Sequence, residues 1–268
     1  MNKRANAWIN GLFLVITLVV NTLGALGLIN GFSQKEISDM YITLITPSPS
    51  TFSIWSLIYI LLIISMIVMI VKKDDLYYQD AINEITLLFR ITCVLNVLWI
   101  VSFSFVLVEL SALFIIGFVI VLAMLCTKLK KIQTGKHFLL PLTFGLYTGW
   151  LFIATVVNIS AALVKLQWNG FGMADEKWAI ITLLVAVFLV LVVNQKIRNA
   201  AFPLPIAWAF FGIYRSLISS NGFDGQFANL QITTLIGMGV LLGLAVIQFS
   251  QNHFAVSPDK SEETVVHL

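Results

Sequence analysis

Long apolar runs recur along this chain and constrain its fold more than any other feature. Several of them exceed the roughly 20 residues that a helix needs to cross the hydrocarbon core of a bilayer. Charged or Gly/Pro-rich breaks separate the runs and divide them into eight candidate helices. These cover residues 8–30, 50–71, 87–108, 110–127, 138–163, 177–195, 202–219 and 229–249. The sequence therefore predicts an all-α fold, a polytopic membrane helix bundle of about eight transmembrane helices.

Composition agrees with a membrane bundle. Only 11% of the residues are charged, about half the fraction that is typical of a soluble domain. Cys93 and Cys126 both lie within apolar runs, as small buried hydrophobic side chains do. No spacing of His, Cys and carboxylate residues suggests a metal site. The first run follows Lys3 and Arg4 as in a signal peptide, but it continues to about Ile29, so we expect a retained span.

Lysine and arginine are distributed unequally between the two sides of the predicted bundle. Of sixteen such residues, eleven fall on the side of the N-terminus, three fall on the opposite side, and Arg90 and Arg215 lie within runs. Because cytoplasmic loops are enriched in Lys and Arg, this bias predicts a cell (inner) membrane protein with both termini in the cytoplasm. The eleven are Lys3, Arg4, Lys72, Lys73, Lys128, Lys130, Lys131, Lys136, Lys196, Arg198 and Lys260. The three are Lys35, Lys165 and Lys177.

Two segments between and after the runs carry further predictions. Only the letters "VEL", around Glu109, separate the third and fourth runs, which predicts a tight antiparallel hairpin. The polar segment 251–268 follows the last run, and we expect it to be a disordered cytoplasmic tail.

Three large aromatic residues stand where the chain enters the second run. In "TPSPSTFSIWSLIY", Phe52, Trp55 and Tyr59 are spaced three and four residues apart, which places them on one face of a helix. One interpretation is that they anchor the helix at the membrane interface. The other is that they line a site.

Polar residues inside apolar runs are the next candidates for a functional site, because polar side chains in a bilayer need partners within the protein. In the third run, Asn96 and Trp99 share a helical face, and Trp99 lies near mid-bilayer by its position in the run. A buried indole N–H needs an acceptor, and we expect Asn96, one turn back, to supply it. In the fifth run, Trp150 and Asn158 share a face. The alternative is that these residues only stabilise helix packing.

Two arginines lie within runs and have different expected roles. Arg215, in the outer half of the seventh run, either snorkels to the surface or holds an anionic group, with Glu109 as a candidate partner. Arg90, near the start of the third run, is expected to be an ordinary anchor on the cytoplasmic side.

Three motifs together resemble a known family. The segments "PSPSTFSIWSLIY", "LNVLW" and "P-x8-W-x3-AT-x2-N" occur in this order on the second, third and fifth runs. They resemble the translocator protein/tryptophan-rich sensory protein (TspO/MBR) family over roughly residues 8–165. Three departures are visible: Ser48 separates the two prolines, the gap from Phe52 to Trp55 is one residue shorter than the family's, and no tryptophan-rich loop precedes the prolines. No sterol-type motif follows Asn158.

The resemblance implies a five-helix bundle in residues 1–165, with a pocket closed by the loop that joins the first two spans. It leaves residues 166–250 as three additional transmembrane helices. Family members bind tetrapyrroles such as haem precursors, and some bind sterols or aromatic drugs. The implied ligand-binding residues are Pro47, Pro49, Phe52, Trp55, Tyr59, Asn96, Trp99, Trp150 and Asn158, with Arg215 as a candidate anion contact.

The leading functional hypothesis is a sensory or regulatory membrane protein that binds an amphipathic aromatic ligand, porphyrin-like, in a pocket between helices. A small-molecule transporter and a membrane scaffold for a protein partner are the alternatives. Enzyme activity is left open, although no histidine lies in a run to act as a base. A tetrapyrrole would be a ligand and not a resident cofactor. The expected partners are the lipid bilayer, a hydrophobic small molecule and a second copy of the chain, with no nucleic acid.

Overall fold

The eight apolar runs all form helices. The computed structural model describes residues 3–72, 74–135 and 137–260, and every regular element in these ranges is helical. A 3₁₀ turn, Pro49–Ser53 (the Pro49 turn), precedes α3, and a second, Gly170–Gly172, precedes α7. The α-helices are α1 Lys3–Ala25, α2 Gln34–Met40, α3 Ile54–Val71, α4 Leu76–Ser104, α5 Val108–Ile132, α6 Leu139–Lys165, α7 Asp175–Ile197, α8 Pro203–Ile218 and α9 Ala228–Gln251.

Seven helices in the described ranges are long and apolar enough to cross a membrane, and α8 is a shorter apolar helix. The predicted polytopic helix bundle is therefore confirmed. The bundle has two ends, which we call the terminal face and the loop face. The terminal face carries the start of α1, the end of α9 and the α3–α4, α5–α6 and α7–α8 connections. The loop face carries the remaining connections.

The helix α4 begins at Leu76, well before the predicted start at residue 87. Asp75 caps it, because its Oδ1 accepts a hydrogen bond of 2.9 Å from the backbone N–H of Tyr77. Tyr77, Ala81 and Ile85 are buried in this first part of the helix. Their four-residue spacing gives an apolar stripe within a more polar segment, so hydropathy alone placed the helix start too late.

The helix α8 has only 16 residues because the chain before it enters the bundle without helical structure. Residues 199–202 are buried. Asn199 Nδ2 donates a hydrogen bond of 2.8 Å to the carbonyl of Pro141 on α6. Non-helical backbone is tolerated inside a membrane only where protein surrounds it. Pro203 and Pro205, which have no backbone N–H, begin the helix and leave fewer donors to satisfy there.

The helices α4 and α5 form the predicted tight hairpin. Residues 105–107 connect them, and Val106 has a positive φ of 60°. Glu109 lies in the first turn of α5. Around this hairpin, α1 packs on α4 and α6 packs on α5, while α8 lies between α6 and α9. The three C-terminal helices contact the first five spans most extensively between α8 and α6, and α7 also contacts α5 and α6.

The polar segment after α9 is folded along its described length. The backbone N–H of Ala200 donates to the carbonyl of Val256 at 2.8 Å, and that of Lys260 donates to Gln133 at 3.0 Å. Gly135 N–H donates to Asp259 Oδ2 at 2.7 Å. Residues 252–260 thus pack on the terminal face. The rest of the predicted disordered tail, 261–268, lies outside the described residues.

The loop between α1 and α3 covers the opposite, loop face. Its short helix α2 inserts the fully buried Ile37 against Val108 and Ala112 of α5 and Ala161 of α6. Ser33 and Glu36 form a capping box at its start. Ile37 therefore anchors α2 on the bundle.

Candidate functional site

The predicted aromatic residues of α3 meet aromatic residues of two other helices. The Trp55 ring stacks on Tyr59, with centroids 5.1 Å apart. It also lies 6.1 Å from Trp99 on α4 and 6.1 Å from Trp150 on α6. We call the following six residues the aromatic cluster: Phe52, Trp55, Tyr59, Trp99, Tyr147 and Trp150.

Burial within the aromatic cluster increases from the Pro49 turn inward. The side chain of Phe52 is 39% exposed and lies edge-on to Trp150, with centroids 5.8 Å apart. Trp55 and Tyr59 are half-buried, whereas Trp150 is only 2% exposed. The cluster therefore reaches the protein surface at Phe52 and ends in the interior at Trp150.

The indole of Trp99 has a partner on another helix. Its Nε1 donates a hydrogen bond of 2.9 Å to Asn158 Oδ1 on α6. The same oxygen accepts from Ser111 Oγ at 3.2 Å, and Asn158 Nδ2 donates to the carbonyl of Val108 at 3.3 Å. The prediction that Asn96 accepts from Trp99 is therefore wrong, because Asn158 reaches across from the facing helix.

Asn96 instead belongs to a chain of buried hydrogen bonds that joins four helices. Tyr59 Oη donates to Asn21 Oδ1 at 2.8 Å, and Asn21 Nδ2 donates to Asn96 Oδ1 at 2.5 Å. Asn96 Nδ2 then donates to Tyr147 Oη at 3.2 Å. This chain holds the tyrosines of the aromatic cluster in place from α1, α3, α4 and α6.

One buried polar atom of the aromatic cluster has no partner among the described residues. The Nε1 of Trp150 is buried and makes no hydrogen bond there. A buried donor without an acceptor costs about 1–3 kcal/mol, and indole N–H groups usually find a partner when buried. The Nε1–H of Trp150 can therefore donate a hydrogen bond to an acceptor on a ligand that lies beside the stacked rings.

One comparison with known proteins decides the family. The family model described as TSPO-like protein matches residues 7–247. This chain belongs to the TSPO-like protein family. The match continues past α6 and includes α7, α8 and most of α9. No curated protein and no solved structure matches the chain.

The two prolines of this TSPO-like protein lie at the start of the Pro49 turn. Pro47 is buried, and Pro49 is the first residue of the turn. Ser48, between them, has the extended backbone (φ −57°, ψ 148°) that a following proline favours. Its N–H donates to the carbonyl of Gly212 on α8 at 3.0 Å.

The charged residues singled out from the sequence lie elsewhere in this TSPO-like protein. Arg215 is exposed in the last turn of α8. Glu109, its suggested partner, forms an ion pair with Lys165 at 2.7 Å instead. Arg90 donates to Asn10 Oδ1 at 2.9 Å and to Asn6 Oδ1 at 3.0 Å. It thereby joins α4 to the start of α1.

Side chains of the types that bind metal ions do not cluster in the part of the chain that the structure describes. No set of three or more His, Cys, Asp or Glu side chains could hold a metal ion there. Cys93 and Cys126 are buried as free thiols.

Two residues of the site, Asn21 and Tyr147, are missing from the sequence-based prediction. Tyr147 precedes Trp150 by three residues and so shares its helical face. Asn21 follows Thr17 by four residues, and Asn10, Thr17 and Asn21 are all buried on α1. This spacing of polar residues along one face was the signal that could have found Asn21.

Proposed function

We propose that this TSPO-like protein binds a flat, amphipathic aromatic ligand, porphyrin-like, in the aromatic cluster and acts as a sensor or regulator. The unpartnered, buried indole N–H of Trp150 carries this proposal. It would donate to a carbonyl or carboxylate of the ligand, while the rings of Trp55 and Phe52 contact its flat surface. Pockets of this type are mostly apolar, with a few polar groups that orient the ligand.

The graded burial of the cluster supports the same function. A ligand that enters at the half-exposed Phe52 would reach the buried Trp150 directly behind it, with the half-buried Trp55 beside both rings. Aromatic contacts in favourable geometry contribute about 0.5–1.5 kcal/mol each. Removing one such contact should therefore change the affinity by roughly two- to twelvefold.

Tryptophan-fluorescence titration of the detergent-purified protein with protoporphyrin IX tests this proposal. We expect saturable quenching in the wild type and weaker affinity in Trp55→Phe, Trp99→Phe and Trp150→Phe. Trp8→Phe is the matched control, because Trp8 lies exposed on α1, outside the aromatic cluster. Quenching that does not saturate, or that has the same affinity in all four variants, would mean that the porphyrin only partitions into the detergent micelle.

A transporter is the second candidate, and one observation favours it. The non-helical segment before α8 is buried beside α6, and many transporters build their substrate sites from interrupted helices. Uptake of protoporphyrin IX into proteoliposomes tests this function. Transport requires flux that exceeds the flux into protein-free vesicles, whereas saturable binding without flux supports a sensor.

A further inference from the structure

The helix α8 makes two hydrogen bonds with the backbone at the Pro49 turn, one to Thr51 within the turn and one to Ser48 directly before it. Trp208 Nε1 donates to the carbonyl of Thr51 at 2.9 Å. One turn further along α8, the carbonyl of Gly212 accepts from Ser48 N–H at 3.0 Å. A helix of the C-terminal part thus binds the backbone of the segment that leads into the aromatic cluster.

Gly212 lets this segment approach the backbone of α8 closely. A Cβ atom on Gly212 would lie 2.0 Å from Thr51 Oγ1 and 2.7 Å from its Cγ2, far closer than van der Waals contact. Thr51 is 2% exposed. The turn is therefore packed on α8 at a point where no larger residue fits.

The Pro49 turn carries Phe52, a ring that contacts Trp150. Phe52, the residue after Thr51, lies edge-on to Trp150, and the chain then continues directly into α3 and Trp55. A movement of the turn away from α8 would carry Phe52 away from Trp150. The unpartnered indole N–H would then become accessible from outside the bundle.

We propose that α8 is a latch on the aromatic cluster. Trp208 and Gly212 hold the Pro49 turn closed, with Phe52 over Trp150, and a ligand reaches Trp150 when this contact opens. Both are positioning residues, because they act through the turn. The latch rests on the proposed function for its ligand, but the closed position of the turn is measurable without any ligand.

Amide hydrogen exchange of residues 46–53 in the full-length, detergent-purified protein tests the latch. Trp208→Phe keeps an aromatic ring at this position but removes the indole N–H donor. We therefore expect the amides of residues 46–53 to exchange about two- to tenfold faster, as for the loss of one hydrogen bond. Trp178→Phe is the matched control, because Trp178 Nε1 also donates to a backbone carbonyl, that of Gly170, at 2.5 Å. We expect no change at residues 46–53 in this control.

Gly212→Ala is a second, independent test. The added methyl group should displace the Pro49 turn and accelerate exchange more than Trp208→Phe does. The double variant Gly212→Ala/Thr51→Ala removes the two atoms nearest to the new methyl group and should restore part of the protection. Unchanged exchange at residues 46–53 in both Trp208→Phe and Gly212→Ala would overturn the latch.

Binding kinetics with protoporphyrin IX separate this proposal from the proposed function. Followed by absorbance, Trp208→Phe should both bind and release the porphyrin faster than the wild type, with a smaller change in affinity. Faster exchange in a protein that never binds the porphyrin saturably supports the latch and overturns the proposed ligand. Saturable binding whose two rates are unchanged in Trp208→Phe overturns the latch and leaves the ligand.

Discussion

Trp99 on α4 donates its indole N–H to Asn158 on α6 across 2.9 Å. We expect Asn158→Ala to leave this donor unpaired in the bundle, with a loss of about 1–3 kcal/mol in the free energy of unfolding. Trp99→Phe removes the donor itself and should cost less. The measurement is thermal unfolding of both variants and of the double variant in detergent.

The double variant decides whether this hydrogen bond causes the loss. Interhelical hydrogen bonds in membrane proteins contribute about 0.6 kcal/mol on average and up to about 1.7 kcal/mol. A coupling energy of that size is expected between the two positions. Strictly additive losses would show that Asn158 stabilises the bundle through Ser111 and Val108 alone.

Asn96 joins α1 to α6 through Asn21 and Tyr147. Asn96→Ala leaves Tyr147 without this donor, whereas Asn21 still donates to the carbonyl of Thr17 and accepts from Tyr59. We expect unfolding to become easier by about 1–3 kcal/mol. Asn221→Ala, at an exposed position on the loop face, should stay within about 0.5 kcal/mol of the wild type. Equal losses in the two variants would refute a stabilising role for the buried chain.

Local spacing predicted the aromatic face but not its hydrogen bonds. Trp55 and Tyr59 stack because residues one helical turn apart share a face whatever surrounds them. The acceptor of Trp99 depends on which helix packs against α4, and spacing within α4 carries no information on that. Asn96 was the nearest candidate along the chain, whereas Asn158 is the nearest in space.

The seventh apolar run shows a second limit of prediction from sequence. Its predicted start, residue 202, is one residue from the observed start of α8. Hydropathy does not reveal that the preceding residues are buried without being helical. That arrangement depends on the hydrogen bond of Asn199 to the carbonyl of Pro141, which lies far away in the sequence. The family match, which continues to residue 247, likewise extends beyond the motifs of the first five runs.

Asp75 gives the terminal face a dependence on pH. Burial opposes its ionisation, but the backbone N–H of Tyr77 and the ring of His137 outweigh burial and hold the pKa of Asp75 below its usual value. A lowered pKa in the folded state means that the stabilisation is present above the unfolded-state pKa of about 3.9. It is lost as the pH falls through the folded-state pKa.

Asp75→Asn keeps an oxygen acceptor at the start of α4 and removes the titrating group. Because Asn and Asp are comparable helix caps, we expect little change in stability at pH 7, where Asp75→Ala should cost about 0.5–2 kcal/mol. Thermal unfolding between pH 3 and pH 7 should show a smaller decline at low pH in Asp75→Asn than in the wild type. Identical pH profiles would exclude Asp75 as a source of the acid sensitivity.

The predicted orientation in the membrane can be tested with single cysteines. Both native cysteines are buried, so a cysteine introduced at an exposed position should label selectively. Asp224→Cys lies on the loop face and Asp74→Cys lies on the terminal face, and both positions are exposed. The reagent is a membrane-impermeant maleimide, added to cells whose outer barrier is permeabilised but whose inner membrane is intact. If both termini lie in the cytoplasm, it should label Asp224→Cys and not Asp74→Cys. Disruption of the membrane should then make both react, whereas the reverse pattern in intact cells would invert the topology that the lysine and arginine bias predicts.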